Sequence, residues 1–478
     1  MTSTLRAGAE RPAQASKRHG LRSRTILLLC LVACSDEGLY AQRASDPMMA
    51  HLDGAQVALR SGDQDRAALE YKAFLGQAIH RIANARARMG ESDRADLAFD
   101  EALGFVDFDP TMRLDYASAL FDQGRLPEAR AMAQSALERD QKNARAEVVL
   151  GRINFEEREY SQAAKHFEAA AARGYFAETW RLGALSYLRS QQLPQAQLVL
   201  SKALRTFGDT TRNQVIAASL YYYGDYPQLA IQELRKVLAR TPQAPDAHYY
   251  LGIAYLAQNE AAGYGNAVPE FEAQLKDNPQ DFRGHYMLGY IALEQHQLER
   301  AERHLLQAAR INSGDQATNL LLSQLYAETA RGSQAEKLLR AMTASSRPGK
   351  ELNFTLVRAH YMLGRLLEQR GAIDEGKREI VVAEKLRAEL RARAPETYSP
   401  RSLTPLAEGE FEASSNLEPL AAAERAKAQQ FISQLQPIIG EAYNNLARIS
   451  VLHQDTTTAS RYWARAVAWD PSLGSGAH

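Results

Sequence analysis

The sequence contains few of the residues that cross-link a chain or interrupt a helix. Among its 478 residues there are only 2 cysteines, 17 prolines and 29 glycines. Two cysteines, Cys30 and Cys34, cannot build a disulfide framework or a zinc site. Alanine, the best helix former, occupies 80 positions. Because helix formers are abundant and helix breakers are scarce, we expect a mostly helical protein.

An excess of charge of either sign is also lacking. Lys and Arg together number 57, as do Asp and Glu, so the net charge is zero. This balance does not predict a nucleic-acid partner, because nucleic-acid-binding proteins carry basic patches. Hydrophobic residues make up 45% of the chain. That content is enough to build a core and argues against wholesale disorder.

Motifs that carry catalytic or cofactor chemistry are absent from the sequence. There is no P-loop, no Gly-x-Gly-x-x-Gly after a strand, no His-Glu-x-x-His and no Gly-x-Ser-x-Gly. His296 and His304 lie two helical turns apart, but we expect them to be ordinary surface or core residues. We therefore predict no catalytic residue, no metal, no cofactor and no small-molecule substrate, and the protein is expected not to be an enzyme.

The N-terminus has the pattern of a targeting segment. Six basic residues and one acidic residue within 1–24 precede the apolar run 26–33. A basic stretch before about eight apolar residues predicts a secretory signal, and the run is too short to span a bilayer. The run ends in Leu31-Val32-Ala33-Cys34, which resembles a bacterial lipobox. The resemblance implies removal of 1–33, lipidation of Cys34 and a cell-envelope location, anchored on the periplasmic side of a membrane.

Three alternatives to the lipid anchor stay open. Cleavage after Ala41 would give a soluble periplasmic or secreted protein. An Arg-rich organelle transit peptide and an uncleaved core helix are the other two. In the first of these cases, as in the lipoprotein case, the chain is exported. Only in the lipoprotein case does it contact a membrane, and then only through its N-terminal lipid.

An internal period of about 34 residues runs through the chain. Leu-Gly dipeptides that begin at residues 150, 251, 288 and 363 are among those that follow this period; in the first case Ala163 and then Phe167 follow at helical spacing. The helix-B anchor positions are Ala67, Ala95, Ala129, Ala163, Ala196, Ala230, Ala267, Ala301, Ala335, Gly376 and Ala459. From Ala95 to Ala335 every interval stays within one position of the period, except for a slightly longer one that ends at Ala267. This pattern resembles the tetratricopeptide repeat (TPR), a pair of helices called A and B.

The resemblance implies an all-α fold, a right-handed superhelical TPR solenoid of about eleven helix-turn-helix repeats. The predicted repeats are 48–75, 76–109, 110–143, 144–176, 177–210, 211–244, 245–281, 282–315, 316–349, 357–390 and 440–473. The predicted domains are a signal peptide (1–33), a linker (34–47), the TPR array (48–390), a Pro-containing loop with an extra helix (391–436), a C-terminal TPR-like repeat (437–473) and a tail (474–478). Residues 261–266 are expected to lengthen one loop between helices.

In proteins with this repeat, helix A lines a concave groove, and positions 2, 5, 9, 12 and 13 of each repeat point into it. Carried over to this chain, these positions give a partner-binding groove of Arg145, Arg152, Arg181, Arg189, Arg212, Tyr222, Tyr223, Tyr249, Ile253, Tyr286 and Tyr290. Tyr and Arg dominate binding interfaces because they combine large contact area with directed hydrogen bonds. We expect a peptide or protein segment with carboxylates near the arginines and an apolar part over the tyrosines. The alternative is that the tyrosines pack between helices.

These observations predict a non-enzymatic protein-interaction scaffold in the bacterial cell envelope. The alternative is a lipoprotein assembly factor for an envelope machine, such as one for pilus, secretion or outer-membrane biogenesis. An enzyme that uses the repeats as a targeting arm is disfavoured, because the repeats leave only 391–439 unassigned, which is too short for a catalytic domain.

Overall fold

A computed structural model describes residues 46–105, 109–258, 260–345, 354–393 and 421–476. The predicted signal peptide, Cys34 and most of the Pro-containing loop lie outside these ranges. Helices and turns account for the described residues, and no strand occurs among them, so the all-α fold is confirmed. None of the described helices has the length and hydropathy needed to cross a membrane.

The chain divides into two compact units, Met1–Ala119 with Leu417–His478, and Leu120–Asn416. The helices of the first unit are α1 (Pro47–Ser61), α2 (Gln64–Arg88), α3 (Ser92–Leu103), α20 (Ala422–Leu452) and α21 (Thr456–Trp469), and α4 (Pro110–Asp122) spans the boundary between the units. The helices of the second unit are α5 (Leu126–Arg139), α6 (Ala144–Glu156), α7 (Tyr160–Ala170), α8 (Phe176–Arg189), α9 (Leu193–Phe207), α10 (Thr211–Tyr223), α11 (Pro227–Arg240), α12 (Ala247–Gln258), α13 (Glu260–Asp277), α14 (Phe282–Glu294), α15 (Leu298–Ile311), α16 (Gln316–Glu328), α17 (Gly332–Ser345), α18 (Phe354–Gln369) and α19 (Ile373–Arg393).

Within the second unit, consecutive helices form hairpins that stack along the chain. In each hairpin helix A packs against helix B, and helix B packs against helix A of the next hairpin. The anchor alanines of the helix-B positions from Ala129 to Ala335 are all fully buried at these contacts. One hairpin cannot bury its apolar face alone, so the stability of the array comes from its neighbours.

The turns between helices A and B share one backbone feature. A residue with positive φ stands at position 15 of the repeat, as in Gly124 at +75° and Gly371 at +85°. Elsewhere the same place is taken by a residue with a side chain: Arg158, Gln191, Asp225, His296 and Ala330. This left-handed residue ends helix A, and the αL conformation is one that glycine adopts without strain.

Three segments differ from a regular repeat array. The predicted loop 261–266 is helical and belongs to α13, where an added Cβ at Gly263 would stand 2.5 Å from the carbonyl oxygen of Tyr255. The expectation of a longer loop there is wrong, because the extra residues extend a helix that packs closely on α12. Helix α2 is continuous through the junction of the first two predicted repeats, and α20 is continuous through residue 437.

Glycines in helix A are sites of close helix packing. A Cβ at Gly252 would stand 2.7 Å from the ring of Phe271, and one at Gly289 would stand 2.7 Å from Leu305. Phe271 and Leu305 are fully buried on the facing helix B and have no room to move away. Close packing, and not flexibility, therefore accounts for these glycines.

Replacing Gly252 by Ala is therefore expected to destabilise the array although Ala is the better helix former. Overpacking costs about 1–3 kcal/mol, which outweighs a gain in helix propensity of about 1 kcal/mol. Gly183→Ala is the matched control, because its Cβ would meet its nearest atom at 3.4 Å, an ordinary contact. Urea unfolding should shift the two midpoints in opposite directions. A rise in the midpoint of Gly252→Ala would contradict the packing argument.

Candidate functional site

The structure separates the predicted groove residues by accessibility. Five side chains are buried: Arg152, Tyr223, Tyr249, Ile253 and Tyr286. Three are half-buried: Arg145, Tyr222 and Tyr290. Three are exposed: Arg181, Arg189 and Arg212. Only the half-buried and exposed groups present a surface to a partner.

The tyrosines at position 5 of two successive repeats lie in the core. Tyr249 has an exposed fraction of 0% and Tyr286 one of 3%. The ring of Tyr249 is covered by the guanidinium of Arg283, 4.4 Å from the ring centroid, and by the rings of Tyr250 and Phe271. Burial also raises the pKa of Tyr286. A partner could touch these two rings only if the helices separated, so they pack between helices, as the alternative interpretation proposed.

Arg152 is buried against other side chains of the protein and does not face solvent. Its guanidinium stacks 4.5 Å from the ring centroid of Phe121, and desolvation by burial lowers its pKa. The adjacent Asp122 has a pKa raised by burial, an effect that the charge of Arg152 opposes. Since a buried charge is costly without a partner of opposite sign, the main effect of Arg152 here is to offset the charge of Asp122.

Two of the three exposed arginines, Arg181 and Arg212, lie near each other. They project from successive helices A, α8 and α10, and both are exposed. The guanidinium of Arg181 lies 5.4 Å from the ring centroid of Trp180. The pKa of Arg181 is lowered, first by desolvation and then by the charge of Arg212. Two like charges are thus held near each other, and among the described residues no carboxylate acts on the pKa of Arg181.

Aromatic rings lie near Arg181. Tyr250, at position 6 of its repeat, interacts electrostatically with Arg181. Its ring meets that of Tyr223 edge to face at 6.2 Å, and Tyr223 meets Tyr222 in the same way at 5.1 Å. We call the group of Arg181, Arg212, Tyr222 and Tyr250 the arginine–tyrosine surface. Tyr250 was missed from the sequence because position 6 is not one of the five groove positions of the repeat.

The other two predicted arginines, Arg189 and Arg145, interact with other groups of the protein. Arg189 lies 3.6 Å from the carboxylate of Asp225, which stands at the left-handed turn position of the next hairpin. Arg145 is half-buried near the start of α6 and interacts with other groups of the protein. The basic part of the surface is therefore narrower than the sequence predicted and centres on Arg181 and Arg212.

Histidines come together in a way that the sequence pattern did not suggest. His296 occupies a turn, whereas His304 lies on α15 with its Nδ1 atom 3.1 Å from Nδ1 of His285 on α14. Across the described ranges, no group of three or more His, Cys, Asp or Glu side chains could hold a metal ion. The informative signal was the separation of 19 residues between these two facing positions of helix A and helix B.

Comparison with known proteins identifies the repeats. A family model described as tetratricopeptide repeat matches residues 80–144, 114–178, 215–263 and 260–317. These ranges omit most of α8 and the first four residues of α10, so Arg181 and Arg212 lie outside them, but they cover α11 to α15 completely. No curated protein matches this chain in sequence.

Solved structures show similarity at low identity. Human IFIT1, solved as a dimer with m7Gppp-AAAA, is 16% identical, with 87% of this chain and 88% of that chain covered and a TM-score of 0.35. A tetratricopeptide repeat protein from Parabacteroides merdae is 16% identical, with 58% and 98% covered and a TM-score of 0.35. Yeast Tom70 is 12% identical, with 84% and 96% covered and a TM-score of 0.30. At these TM-scores the likeness supports no inference about ligands.

Proposed function

Because the chain carries tetratricopeptide repeats, we propose that it is a non-enzymatic scaffold that binds peptide or protein segments through the arginine–tyrosine surface. The observation that carries the proposal is the open pair Arg181 and Arg212 on successive helices, with aromatic rings beside it. Guanidinium groups bind carboxylates in a bidentate manner, and tyrosines offer contact area with a polar edge. The ligand class is an acidic segment with apolar or aromatic side chains.

Stacked hairpins favour this kind of ligand over a small molecule. Arg181 and Arg212 project from one helix A to the next, and Tyr222 and Tyr250 extend the surface toward α12. Stacked repeats of a solenoid form extended binding surfaces, which suit an extended segment with charges and apolar groups spaced along it. Opposite charge at the centre also speeds the encounter of the two partners.

Reversing both charges is expected to weaken binding of an acidic segment. Fluorescein-labelled dodecapeptides that alternate Glu with Phe or Leu serve as the probe, and fluorescence anisotropy gives the Kd. Arg181→Glu/Arg212→Glu should raise the Kd by about 10–100-fold, because each charge-assisted contact contributes roughly 1.5–3 kcal/mol when desolvated and less when exposed. The effect should shrink as salt is added.

The control for this experiment is Arg205→Glu, an exposed arginine on helix B of the same hairpin as Arg181. It changes the net charge in the same direction but lies outside the arginine–tyrosine surface, so it should leave the Kd unchanged. Equal losses in the two variants would show only a global charge effect. Unchanged binding in the double variant would overturn the proposed site.

We further propose that the scaffold acts in a bacterial cell envelope, anchored through Cys34. The support is the basic and apolar N-terminal segment that ends in Leu31-Val32-Ala33-Cys34. Mass spectrometry of the N-terminal peptide from cells would detect acyl chains on Cys34, and Cys34→Ala should release the protein from membranes. A peptide that begins at Gln42 would instead establish the soluble exported form.

The same segment favours a second candidate, a lipoprotein assembly factor for a pilus, secretion or outer-membrane machine. Crosslinking in intact cells, followed by mass spectrometry, separates the two. If the wild type crosslinks to subunits of one envelope machine and Arg181→Glu/Arg212→Glu does not, the assembly factor is supported. If the crosslinked proteins that disappear in the variant are several unrelated envelope proteins, a general scaffold is supported.

A further inference from the structure

A recurring side-chain pair joins helix A to helix B in five hairpins. In each, a histidine at position 4 or 23 faces the other helix at 2.6–3.1 Å. The pairs are His51–Glu70, Glu147–His166, His248–Glu270, His285–His304 and His360–Glu379. Four of them join a histidine to a carboxylate, and one joins two histidines.

The hydrogen bonds of His248 require a charged ring. Its Nδ1 atom lies 2.6 Å from the Glu270 carboxylate, and its Nε2 atom lies 3.0 Å from the carbonyl oxygen of Pro242. A carboxylate and a carbonyl only accept hydrogen bonds, so both ring nitrogens must donate, which only the imidazolium does. The pKa of His248 is raised accordingly, chiefly by the hydrogen bond to Glu270 and further by Asp277 on the same helix.

The equivalent site in the next hairpin, by contrast, excludes a proton. His285 Nε2 lies 3.2 Å from the carbonyl oxygen of Pro279 and must donate to it. Its Nδ1 atom lies 3.1 Å from Nδ1 of His304, a distance that leaves room for one proton between the two nitrogens. A second proton would place two N–H groups against each other. The hairpin α14–α15 therefore accepts one proton fewer at these two atoms than the separated rings would.

The surrounding charges act in the same direction. The pKa of His304 is lowered to about 4, first by burial and then by His285. Arg300 and Arg303 on its own helix lower it further. Helix α16 also packs against α15, but in the described ranges it contributes no charge that shifts this pKa. Among the described residues, no carboxylate faces His304 in the way that Glu270 faces His248.

We propose that His285 and His304 make the hairpin α14–α15 selectively sensitive to acid, so that its opening constant rises as the pH falls from about 7 to 5 while that of the neighbouring hairpin α12–α13 does not. A histidine whose folded pKa is depressed contributes stability that is present above its unfolded pKa and is lost as the pH falls toward the folded pKa. His248 has a raised pKa, so its contribution is present at low pH and is lost as the pH rises. The two adjacent hairpins thus respond to acid in opposite directions.

Hydrogen exchange by mass spectrometry on the full chain tests this inference. The open state of α14–α15 binds one proton more than the closed state, so its opening constant should rise about tenfold per pH unit between pH 6 and 5, after correction for intrinsic exchange. Peptides from α16–α17 are the internal control, because Asn319 and Leu338 occupy the two positions there. An equal acid response in both hairpins would overturn the proposal.

Two reciprocal variants make the test independent of any single mutant. His304→Glu places a carboxylate opposite His285, as in α12–α13, and should abolish or reverse the acid-induced opening of α14–α15. Glu270→His places two histidines in α12–α13 and should confer on it a rise of about tenfold per pH unit. If His304→Glu retains the wild-type acid response, or if Glu270→His gains none, the proposal fails.

Discussion

Glu101→Ala is expected to destabilise the first unit by about 3–5 kcal/mol, because it removes the acceptor of two buried donors and the partner of Arg465 at once. The Glu101 side chain is 9% exposed. It accepts hydrogen bonds from the Tyr443 hydroxyl and from Trp469 Nε1, the latter at 2.9 Å, and forms an ion pair with Arg465. Burial raises the pKa of Tyr443, and the charge of Glu101 raises it further. The alanine variant leaves the hydroxyl, the indole N–H and the guanidinium without this partner.

The effect should appear where the two ends of the chain meet. Helix α20 packs against α2, where Asn445 donates to the Tyr71 hydroxyl at 3.1 Å and Arg425 donates to the Met89 carbonyl oxygen at 2.8 Å. Hydrogen exchange in peptides of α20 and α21 should therefore accelerate by about 100-fold or more in Glu101→Ala. Peptides from α14 and α15, in the second unit, should be unaffected.

Asp53→Ala is the matched control in the same unit, because Asp53 is an exposed carboxylate on α1. It removes one negative charge without removing a buried acceptor and should cost less than about 0.5 kcal/mol. Glu101→Gln should fall between the two, since its amide still accepts a hydrogen bond but no longer offsets the charge of Arg465. Equal exchange in Glu101→Ala and Asp53→Ala would show that this cluster does not hold the C-terminal hairpin.

This cluster also marks the limit of the sequence-based prediction. The repeat period predicts contacts between neighbouring hairpins, and the buried alanines, the left-handed turns and the helix-A glycines follow from it. Tyr443 and Glu101 are 342 residues apart. No local pattern pairs residues so distant, and residues 422–439 of α20 precede the predicted repeat 440–473, so the packing of α20 on α2 could not be predicted.

The accessibility of the groove positions was predicted only in part for a related reason. Repeat position fixes the direction in which a side chain leaves helix A, and Arg181 and Arg212 are exposed as expected. Whether that side chain reaches solvent depends on the size of the side chains in the next repeats. The position of a residue within its own repeat gives no information about those neighbours. Arg283 over the ring of Tyr249 is an example, because the covering group comes from the following hairpin.

Tyr249→Ala is expected to destabilise the second unit by about 3–5 kcal/mol, the usual cost of removing a large buried aromatic side chain. The ring is fully buried among Tyr250, Phe271 and Arg283. Tyr361 offers a matched control, since it occupies the same position 5 of its repeat but has an exposed fraction of 46%. Tyr361→Ala should cost less than about 1 kcal/mol. Urea midpoints followed by hydrogen exchange in α12–α13 and α18–α19 would measure both.

The comparison also separates packing from binding. If Tyr249 only packs, Tyr249→Ala should weaken the binding of the acidic peptides in proportion to the fraction of α12–α13 that is open, and low urea should deepen the loss. A variant in which that hairpin stays closed while peptide affinity falls by tenfold would instead mean that the ring is reached by the ligand. Helix α12 would then have to move on binding, because the guanidinium of Arg283 covers the ring 4.4 Å from its centroid in the structure described.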